Sequence, residues 1–406
     1  MKDSIQFAYS VQGYSHILAN KVCQDSSGEY NDDQMSIIVL ADGHGGNDYP
    51  RTDKGSEFAV KCAINNIKAF VLSVEHIDIY NYEQKLNDLA RNILIEWHKC
   101  VNEDLSSHPL SETDLERVSQ QYRARYTENI CKFGSNAYGT TLIAACITPS
   151  YWFGMQIGDG KCVTFTQDGI ANEPIRDDPK CRGNITTSIC DEDAIEEFRF
   201  CFENEIPAAI FIGSDGVDDS YPNPSMIHQL YSSVLQICME HGEEKMKSEL
   251  KPYLSTISQK GSGDDISVCG WIEKTRYIIS YKNYKLRPYL DRLQEKNKEL
   301  NVHSYNIEKA TEEKNKHIDI CKKIKKKTNL LNNLNKKLQS LIVSDSKYNY
   351  YLGKINQFNE EIKKLENEKA SLKIKEANNI LEKKKEVTTE IKKLVGQYNN
   401  VRKSLK

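Results

Sequence analysis

The chain of 406 residues has no pair of cysteines at C-x-x-C spacing, although it contains 12 cysteines. Structural zinc sites need clustered ligands of that kind, so the scattered thiols indicate free cysteines in a reducing compartment. No stretch approaches 18 consecutive apolar residues, and the first residues form no apolar signal segment. These absences predict a soluble cytoplasmic protein that has no membrane partner.

The charge is not distributed evenly along the chain. Residues 274–406 include 33 Lys and Arg against 16 Asp and Glu, a balance of +17, whereas residues 1–273 include 22 against 42, a balance of −20. All three tryptophans and eleven of the cysteines belong to the first part. The composition therefore predicts a globular domain over 1–273, a linker over 274–288 and a helical tail over 289–406.

Hydrophobic periodicity in the first part predicts a mixture of strands and helices. The predicted strands cover 5–12, 36–41, 139–147, 151–157, 161–166 and 208–212. The predicted helices cover 54–72, 83–104 and 225–242, with a short helix near 251–258. We interpret 106–134 as an insertion of mixed helix and loop, and 168–205 as a surface loop region. The pattern indicates an α+β fold with packed sheets inside and helices outside.

The tail has aliphatic residues at alternating three- and four-residue spacing in a background rich in Lys and Glu. Examples are Ile320, Ile324, Leu331, Leu334, Val387, Ile391 and Leu394. This spacing is typical of a coiled coil, and Pro288 is expected at the start of its first helix. We favour an antiparallel hairpin that bends near 344–349, although a coil formed by two chains remains open.

Lysine clusters at 325–327 and 383–385 raise a second interpretation of the tail, namely binding to nucleic acid. However, these lysines alternate with glutamates at helical spacing, and arginine is scarce. A solvated helix face is therefore favoured, and nucleic acid is not the expected partner. Docking onto the acidic first part of the same or another chain also remains open.

Several aspartates of the first part lie beside short apolar runs and next to glycine. They belong to the segments Val39-Leu40-Ala41-Asp42-Gly43-His44-Gly45-Gly46, Phe211-Ile212-Gly213-Ser214-Asp215-Gly216 and Gly261-Ser262-Gly263-Asp264-Asp265. An apolar run that leads into Asp-Gly predicts a buried strand whose end presents a carboxylate. Carboxylates and backbone carbonyls are the ligands that Mg²⁺ and Mn²⁺ prefer. The sequence therefore predicts a metal-dependent enzyme.

Taken in order, six segments resemble the motif set of the metal-dependent protein phosphatases (type 2C, or PPM). The segments are 20–25, 41–46, 138–141, 157–161, 213–219 and 263–268, and the resemblance covers about residues 5–272. It implies a four-layer α-β-β-α sandwich with central antiparallel sheets. It also implies that water activated between two Mg²⁺ or Mn²⁺ ions hydrolyses phosphoserine or phosphothreonine in proteins.

The resemblance implies a role for each aspartate at the family's positions. Asp42 would bridge both ions, and Gly43 would offer its backbone carbonyl to one of them. Asp215 and Asp264 would bind the other ion, and Asp25 would act near the first. For the last motif, Asp265 is the alternative to its neighbour Asp264.

Further residues follow from the same resemblance. His44 would be the general acid that protonates the leaving oxygen, a role that suits an imidazole with a pKa near neutrality. Asp159 and Asp219 match positions that hold a third ion in some relatives. Asn20 stands where the family often has a phosphate-binding Arg, with Lys21 beside it.

The replaced arginine leaves two functions open, because neither Asn20 nor Lys21 can form the two parallel hydrogen bonds of a guanidinium. Gln24 and Lys161 also replace the usual Glu and Arg. The favoured function is a Ser/Thr protein phosphatase whose tail selects its partner, and the alternative is a weak or inactive phosphatase-like scaffold. The expected partners are a phosphorylated protein substrate, a cognate kinase or helical protein, and a second copy bound through the tail.

Overall fold

The computed structural model describes residues 4–181, 185–339 and 346–405. The chain forms two compact units, Met1–Lys285 and Leu286–Lys406. No helix of the described residues has an apolar stretch long enough to cross a lipid bilayer.

The described part of the first unit contains ten strands in two five-stranded sheets. In chain order they are β1 (Ser4–Val11), β2 (Ser26–Asn31), β3 (Ser36–Ala41), β4 (Leu142–Ile147), β5 (Trp152–Ile157), β6 (Lys161–Phe165), β7 (Ala171–Asn172), β8 (Arg199–Glu203), β9 (Ala209–Gly213) and β10 (Ile266–Glu273). One sheet has the order β1-β10-β9-β6-β7 and the other β2-β3-β4-β5-β8. Neighbouring strands pair antiparallel in both sheets.

Helices occupy several connections between these strands, and one further helix follows β10. They are α1 (Tyr14–Leu18), α2 (Thr52–Ser73), α3 (Tyr82–Ser107), α4 (Glu112–Leu115), α5 (Gln120–Glu128), α6 (Ile130–Phe133), the 3-10 helix Gly134–Tyr138, α7 (Ala194–Glu197), α8 (Asp215–Asp218), α9 (Pro224–His241), α10 (Glu243–Lys260) and α11 (Tyr277–Val302). Side chains cap the starts of α4 and α9. At α9, for example, the Asn223 side chain accepts a hydrogen bond from the Met226 N–H, and Pro224 occupies the first turn.

The two sheets pack face to face between two layers of helices. On one outer face α2 contacts β2, β3 and β4, and on the other α10 contacts β1 and β10. Strand β3 shows how the sequence produces these layers. Its alternate residues Ile37 and Val39 join the core under α2 and α3, whereas Ile38 and Leu40 join the core between the sheets. The predicted four-layer α-β-β-α sandwich with antiparallel sheets is confirmed.

Some elements differ from the sequence-based expectations. The region 168–205, interpreted as surface loop, also contains β7, α7 and β8, and β8 extends the second sheet by pairing with β5. Its sequence, Arg-Phe-Cys-Phe-Glu, is short and flanked by charges, which hid the strand. The insertion 106–134 does mix loop with the short helices α4, α5 and α6.

The prediction that Pro288 begins a helix is wrong, because Pro288 lies inside α11. Residues upstream of the proline are held in helical form by contacts within the first unit. The Ser280 hydroxyl donates to the Thr166 carbonyl at 2.6 Å, and the Tyr284 ring packs against Phe165 with 5.4 Å between centroids. Pro288 itself is exposed, so water can satisfy the carbonyl that loses its helical partner.

The described residues of the second unit are almost all helical. It contains the end of α11, then α12 (Ser304–Gln339), α13 (Ser346–Ser371) and α14 (Ile374–Ser404), and α12 contacts both α13 and α14. Lys296 pairs with Glu390 at 2.8 Å, and Lys327 pairs with Glu361. From the first pair to the second, the residue number of the lysine rises and that of the glutamate falls. The lysine-bearing segments and the glutamate-bearing segments therefore run antiparallel. The bend predicted near 344–349 includes residues 344 and 345, which lie outside the described residues.

Candidate metal centre

Two of the predicted ligands lie at the same end of the β2–β3 hairpin. Asp25 directly precedes β2, and Asp42 directly follows β3. In the hairpin register Ser26 pairs with Ala41, so the two aspartates lie next to each other in space. Asp25 is buried, whereas Asp42 keeps part of its surface exposed.

The other two predicted ligands lie at the corresponding end of the facing sheet. Asp215 is the first residue of α8, just after β9, and Asp264 lies two residues before β10. The Ser214 N–H donates to the Ser267 carbonyl at 3.0 Å and closes this end of the β9–β10 pair. Because β10 packs against β2 and β3, all four strand ends meet.

The proximity of these carboxyl groups is visible in their electrostatics. Burial raises the pKa of Asp25 well above its ordinary value, and the charges of Asp265, Asp215 and Asp264 raise it further. Burial also raises the pKa of Asp42, and the charges of Asp25 and Asp215 raise it further. For Asp215, burial raises the pKa to about 6. Several carboxylates in one partly closed site repel one another unless protons or cations neutralise them.

The carboxyl oxygens are only partly satisfied by protein donors. The Ser267 hydroxyl lowers the pKa of Asp25, and the contact between the Asp42 and Asp215 carboxyls raises the pKa of Asp42 and lowers that of Asp215. Asp25 Oδ2 and Asp215 Oδ1 are buried without a hydrogen-bond partner. Buried carboxylate oxygens that lack a donor fit a divalent cation, so this set of residues suits Mg²⁺ or Mn²⁺.

The backbone of Asp42 is fixed by the two threonines that directly precede β4. The Thr141 N–H and the Thr140 hydroxyl both donate to the Asp42 carbonyl, at 2.8 and 2.7 Å. The Asp42 N–H in turn donates to Thr141 Oγ1 at 3.0 Å. Gly43 has no room for a side chain, because a Cβ atom would lie 2.5 Å from the Gln24 carbonyl oxygen. These contacts hold the Asp42–Gly43 peptide in one position.

His44 lies on the same loop, against an aromatic side chain. Its ring meets Tyr49 edge-on with 4.6 Å between centroids, and both rings pack where a Cβ at Gly139 would stand. Burial lowers the pKa of His44 to about 4, so the imidazole is neutral at pH 7. This value differs from the near-neutral pKa expected for a general acid.

The insertion 106–134 holds the chain that follows His44. The Ser119 N–H donates to Asp48 at 2.7 Å, and the Tyr126 hydroxyl donates to the Asp48 carbonyl at 2.6 Å. Arg51, whose side chain is only 9% exposed, pairs with Asp104 at 3.3 Å and with Asp114 at 2.9 Å. The insertion is thus joined to the loop that carries Asp42 and His44.

The residues assigned to a third ion lie near Asp215. Asp159 occupies the turn between β5 and β6, and burial raises its pKa. The charges of Asp159 and Asp219 both act on the Asp215 carboxyl. Asp219 itself is exposed, so it contributes a solvent-facing carboxylate at the edge of the site.

The two residues assigned to phosphate binding differ in their placement. Asn20 is an exposed turn residue with a positive φ of 50°, a conformation that asparagine tolerates well. Lys21 Nζ donates to the Gly45 carbonyl at 3.0 Å, which brings its charge beside the Asp42–Gly46 loop. Lys161, which replaces the family's usual arginine, is already paired with Glu173 and Asp177.

The neighbouring aspartates 264 and 265 have different surroundings. The Asp264 side chain is 51% exposed, whereas that of Asp265 is 3% exposed and accepts hydrogen bonds from backbone N–H groups. His16 lies against both, with Nε2 3.6 Å from Asp264 Oδ1 and Nδ1 3.0 Å from Asp265 Oδ1. Sequence reasoning missed His16, because the segment 12–16 lies outside the motif set that was matched.

A family model described as Protein phosphatase 2C matches residues 12–255. A comparison with curated protein sequences finds no match. Similar solved structures include the catalytic domain of the serine/threonine phosphatase PstP in complex with two manganese ions. It is 18% identical, with 66% of this chain and 97% of that chain covered and a TM-score of 0.40.

Two further structures extend this comparison. PppA of Pseudomonas aeruginosa is 15% identical, covers 66% of this chain and 97% of its own, and has a TM-score of 0.42. A C. elegans sex-determining protein is 13% identical, with coverages of 70% and 68% and a TM-score of 0.46. Because the family model spans more than half of its residues, the chain belongs to the protein phosphatase 2C family.

Proposed function

We propose that the chain hydrolyses phosphoserine or phosphothreonine in proteins and that the reaction depends on Mn²⁺ or Mg²⁺. The observation that carries the proposal is the convergence of Asp25, Asp42, Asp215 and Asp264 from four strand ends, with buried oxygens that have no protein donor. Membership of the protein phosphatase 2C family supports the same reaction class.

Each proposed ligand has a defined position, and together the ligands would hold two ions. Asp42 would help to hold both ions. The carbonyl of Gly43 and the carboxylate of Asp25 would complete one site, and Asp215 and Asp264 would complete the other. When bound, a pair of divalent ions supplies an acidic water and neutralises charge on a phosphoryl group. Thr140 and Thr141, which directly precede β4, bond to the Asp42 backbone and keep this ligand in place.

His44 is proposed to donate a proton to the leaving oxygen of serine or threonine. Burial lowers the pKa of His44 to about 4 and so keeps the ring neutral at pH 7 when no substrate is bound. A bound phosphate group would bring negative charge beside the ring, and nearby negative charge raises the pKa of an imidazole. Lys21, held 3.0 Å from the Gly45 carbonyl, is the candidate for contact with that phosphate.

The proposal is tested by turnover of p-nitrophenyl phosphate and of a phosphothreonine peptide with added Mn²⁺. Wild-type protein is expected to hydrolyse both, and a chelator or Asp42→Asn is expected to abolish both activities, because Asp42 would contact both ions. Hydrolysis by Asp42→Asn at the wild-type rate would contradict the proposed site.

A scaffold without activity is the alternative, and the replacement of the family's arginine by Asn20 favours it. Calorimetric titration with Mn²⁺ separates the two functions, since a scaffold of this kind should not bind a pair of divalent ions. Binding of Mn²⁺ without turnover would place the defect in substrate binding, and Asn20→Arg should then restore hydrolysis.

For the second unit we propose an antiparallel coiled coil that binds a helical partner or a second copy. The cross-pairs of Lys296 with Glu390 and of Lys327 with Glu361 support a coil formed within one chain. Sedimentation of the full chain at low and high salt tests whether a second copy binds through this unit. A monomer under both conditions would leave the helical partner as the proposal.

A further inference from the structure

A single buried carboxylate connects three separate parts of the first unit. Asp265 Oδ1 accepts a hydrogen bond from the Gly13 N–H at 2.5 Å, and Oδ2 accepts one from the Gln24 N–H at 2.6 Å. The His16 ring lies 3.0 Å from Oδ1. The carboxylate thus joins the segment after β1, the helix α1 and the residue before Asp25 to the turn that carries Asp264.

The same two segments touch along their backbones. A Cβ atom at Gly13 would lie 2.4 Å from the carbonyl carbon of Asp264, so only glycine allows this approach. The N–H and hydroxyl of Ser15 both donate to the Gly263 carbonyl, at 2.8 and 2.7 Å. Ser258 donates to the Asp264 carbonyl at 2.8 Å.

The donors of Asp265 occupy both of its oxygens. A carboxylate that accepts two short backbone hydrogen bonds and faces an imidazole has little capacity left for a metal ion. Two proposed metal ligands are directly adjacent in sequence to residues of this contact. Asp264 precedes Asp265, and Asp25 follows Gln24, whose N–H donates to Asp265. Residues that orient metal ligands in this way affect metal affinity without touching the metal.

We propose that Asp265 is a positioning residue of the metal centre, which fixes the separation of Asp25 and Asp264 through Gln24, Gly13 and His16. This inference rests on the proposed metal-dependent function. It assigns the second aspartate of the pair a role distinct from metal binding.

The rival explanation is that Asp265 only stabilises a turn, as many aspartates do. The chain offers a matched control in Asp32, which accepts the N–H groups of Gln34 and Met35 at 2.8 Å and the Tyr30 hydroxyl at 2.8 Å. Asp32 lies at the far end of the β2–β3 hairpin. The six residues of β2 separate Asp32 from Asp25, a distance of about 23 Å along an extended strand.

The test compares Asp265→Asn with Asp32→Asn in the full chain by calorimetric titration with Mn²⁺ and by thermal unfolding without metal. Asparagine at 265 keeps one acceptor oxygen but sets an NH₂ group against either Gly13 or Gln24. We expect Asp265→Asn to weaken Mn²⁺ binding by at least about 10-fold. Asp32→Asn should lower the unfolding temperature yet bind Mn²⁺ like the wild type.

Two results would overturn the inference alone: wild-type Mn²⁺ affinity in Asp265→Asn, or an equal loss of affinity in Asp32→Asn. Absence of Mn²⁺ binding in the wild-type chain would overturn the proposed function and this inference with it. If Asp265→Asn does not fold, His16→Asn decides the matter, because it removes only the imidazole from the contact. Weaker Mn²⁺ binding at a wild-type unfolding temperature would then support the inference, and unchanged binding would overturn it.

Discussion

The two units differ in how many side chains they bury and in the kind of groups that are buried. In the first unit, sheets made of distant strands enclose whole side chains and a cluster of carboxyl groups. In the second unit, the described residues bury few apolar side chains, namely Ala310, Ile320, Ile355, Ala377, Val387 and Leu394. Carboxyl groups that repel one another stay close together only where a large core fixes their positions. The catalytic site is therefore expected in the first unit.

Ion pairs illustrate this difference, and the largest effect is expected at Arg51. Its guanidinium is buried and bonds to Asp104, Asp114 and the Tyr138 hydroxyl. Arg51→Leu removes the buried cation shared by Asp104 and Asp114. Of these two, Asp104 alone keeps a second cation among the described residues, Lys54 at 3.1 Å. We expect a loss of about 3 kcal/mol in the free energy of unfolding. Urea denaturation measures it. A change within the error of the method would show that the insertion is not held by this residue.

The next prediction concerns the boundary between the units. Truncation after residue 285 should leave the stability and the turnover of p-nitrophenyl phosphate unchanged. Truncation after residue 273 removes Tyr277 and Tyr281, which are buried in the first unit, and should cost about 2–5 kcal/mol. Equal unfolding curves for the two truncated chains would place the boundary at 273 instead.

The pH dependence of stability should also separate the two units. The pKa of Asp215 is raised to about 6 by burial, so the folded state holds its proton where the unfolded state has lost it. Without metal, this group stabilises the fold at low pH, and the contribution disappears as pH rises from about 4 to above 6. Asp215→Asn should therefore gain stability over wild type more at pH 7.5 than at pH 5. Urea titrations at both values check this, and an equal difference would contradict it.

In the second unit the pH dependence of stability has the opposite sign. Its hydrogen bond with Lys327 lowers the pKa of Glu361, so that pair stabilises the helices above the ordinary pKa of glutamate and loses its effect as pH falls. Lys327→Leu should have the smallest effect of these variants, because both partners remain accessible to water. Circular dichroism melting of the full chain, with Lys326→Leu as control, measures it. A loss as large as that of Arg51→Leu would remove the distinction between the units.

The sequence was informative about the ligand-bearing strands because their signal is local. An apolar run that ends in Asp-Gly locates both the strand and its carboxylate, as at Ile38–Asp42 and Ile210–Asp215. The placement of Asp25 beside Asp42 then follows from the hairpin register. Whether these residues bind metal remains a prediction.

Other features depend on contacts between distant residues and could not be found locally. Asp265 bonds to Gly13 across a separation of 252 residues, and no spacing rule relates the two. The helix upstream of Pro288 forms because Ser280 and Tyr284 meet the β6 end of the first unit. The low pKa of His44 arises from burial, which the motif alone does not specify.

The antiparallel course of the second unit has a mechanical consequence. Since Lys296 faces Glu390 and Lys327 faces Glu361, the residues near 286 and the end of α14 lie at the same end of the helices. A force that pulls these two points apart would separate the helices from that end, breaking one contact after another instead of loading all contacts at once. A partner that pulls on the last residues would therefore need little force to separate them.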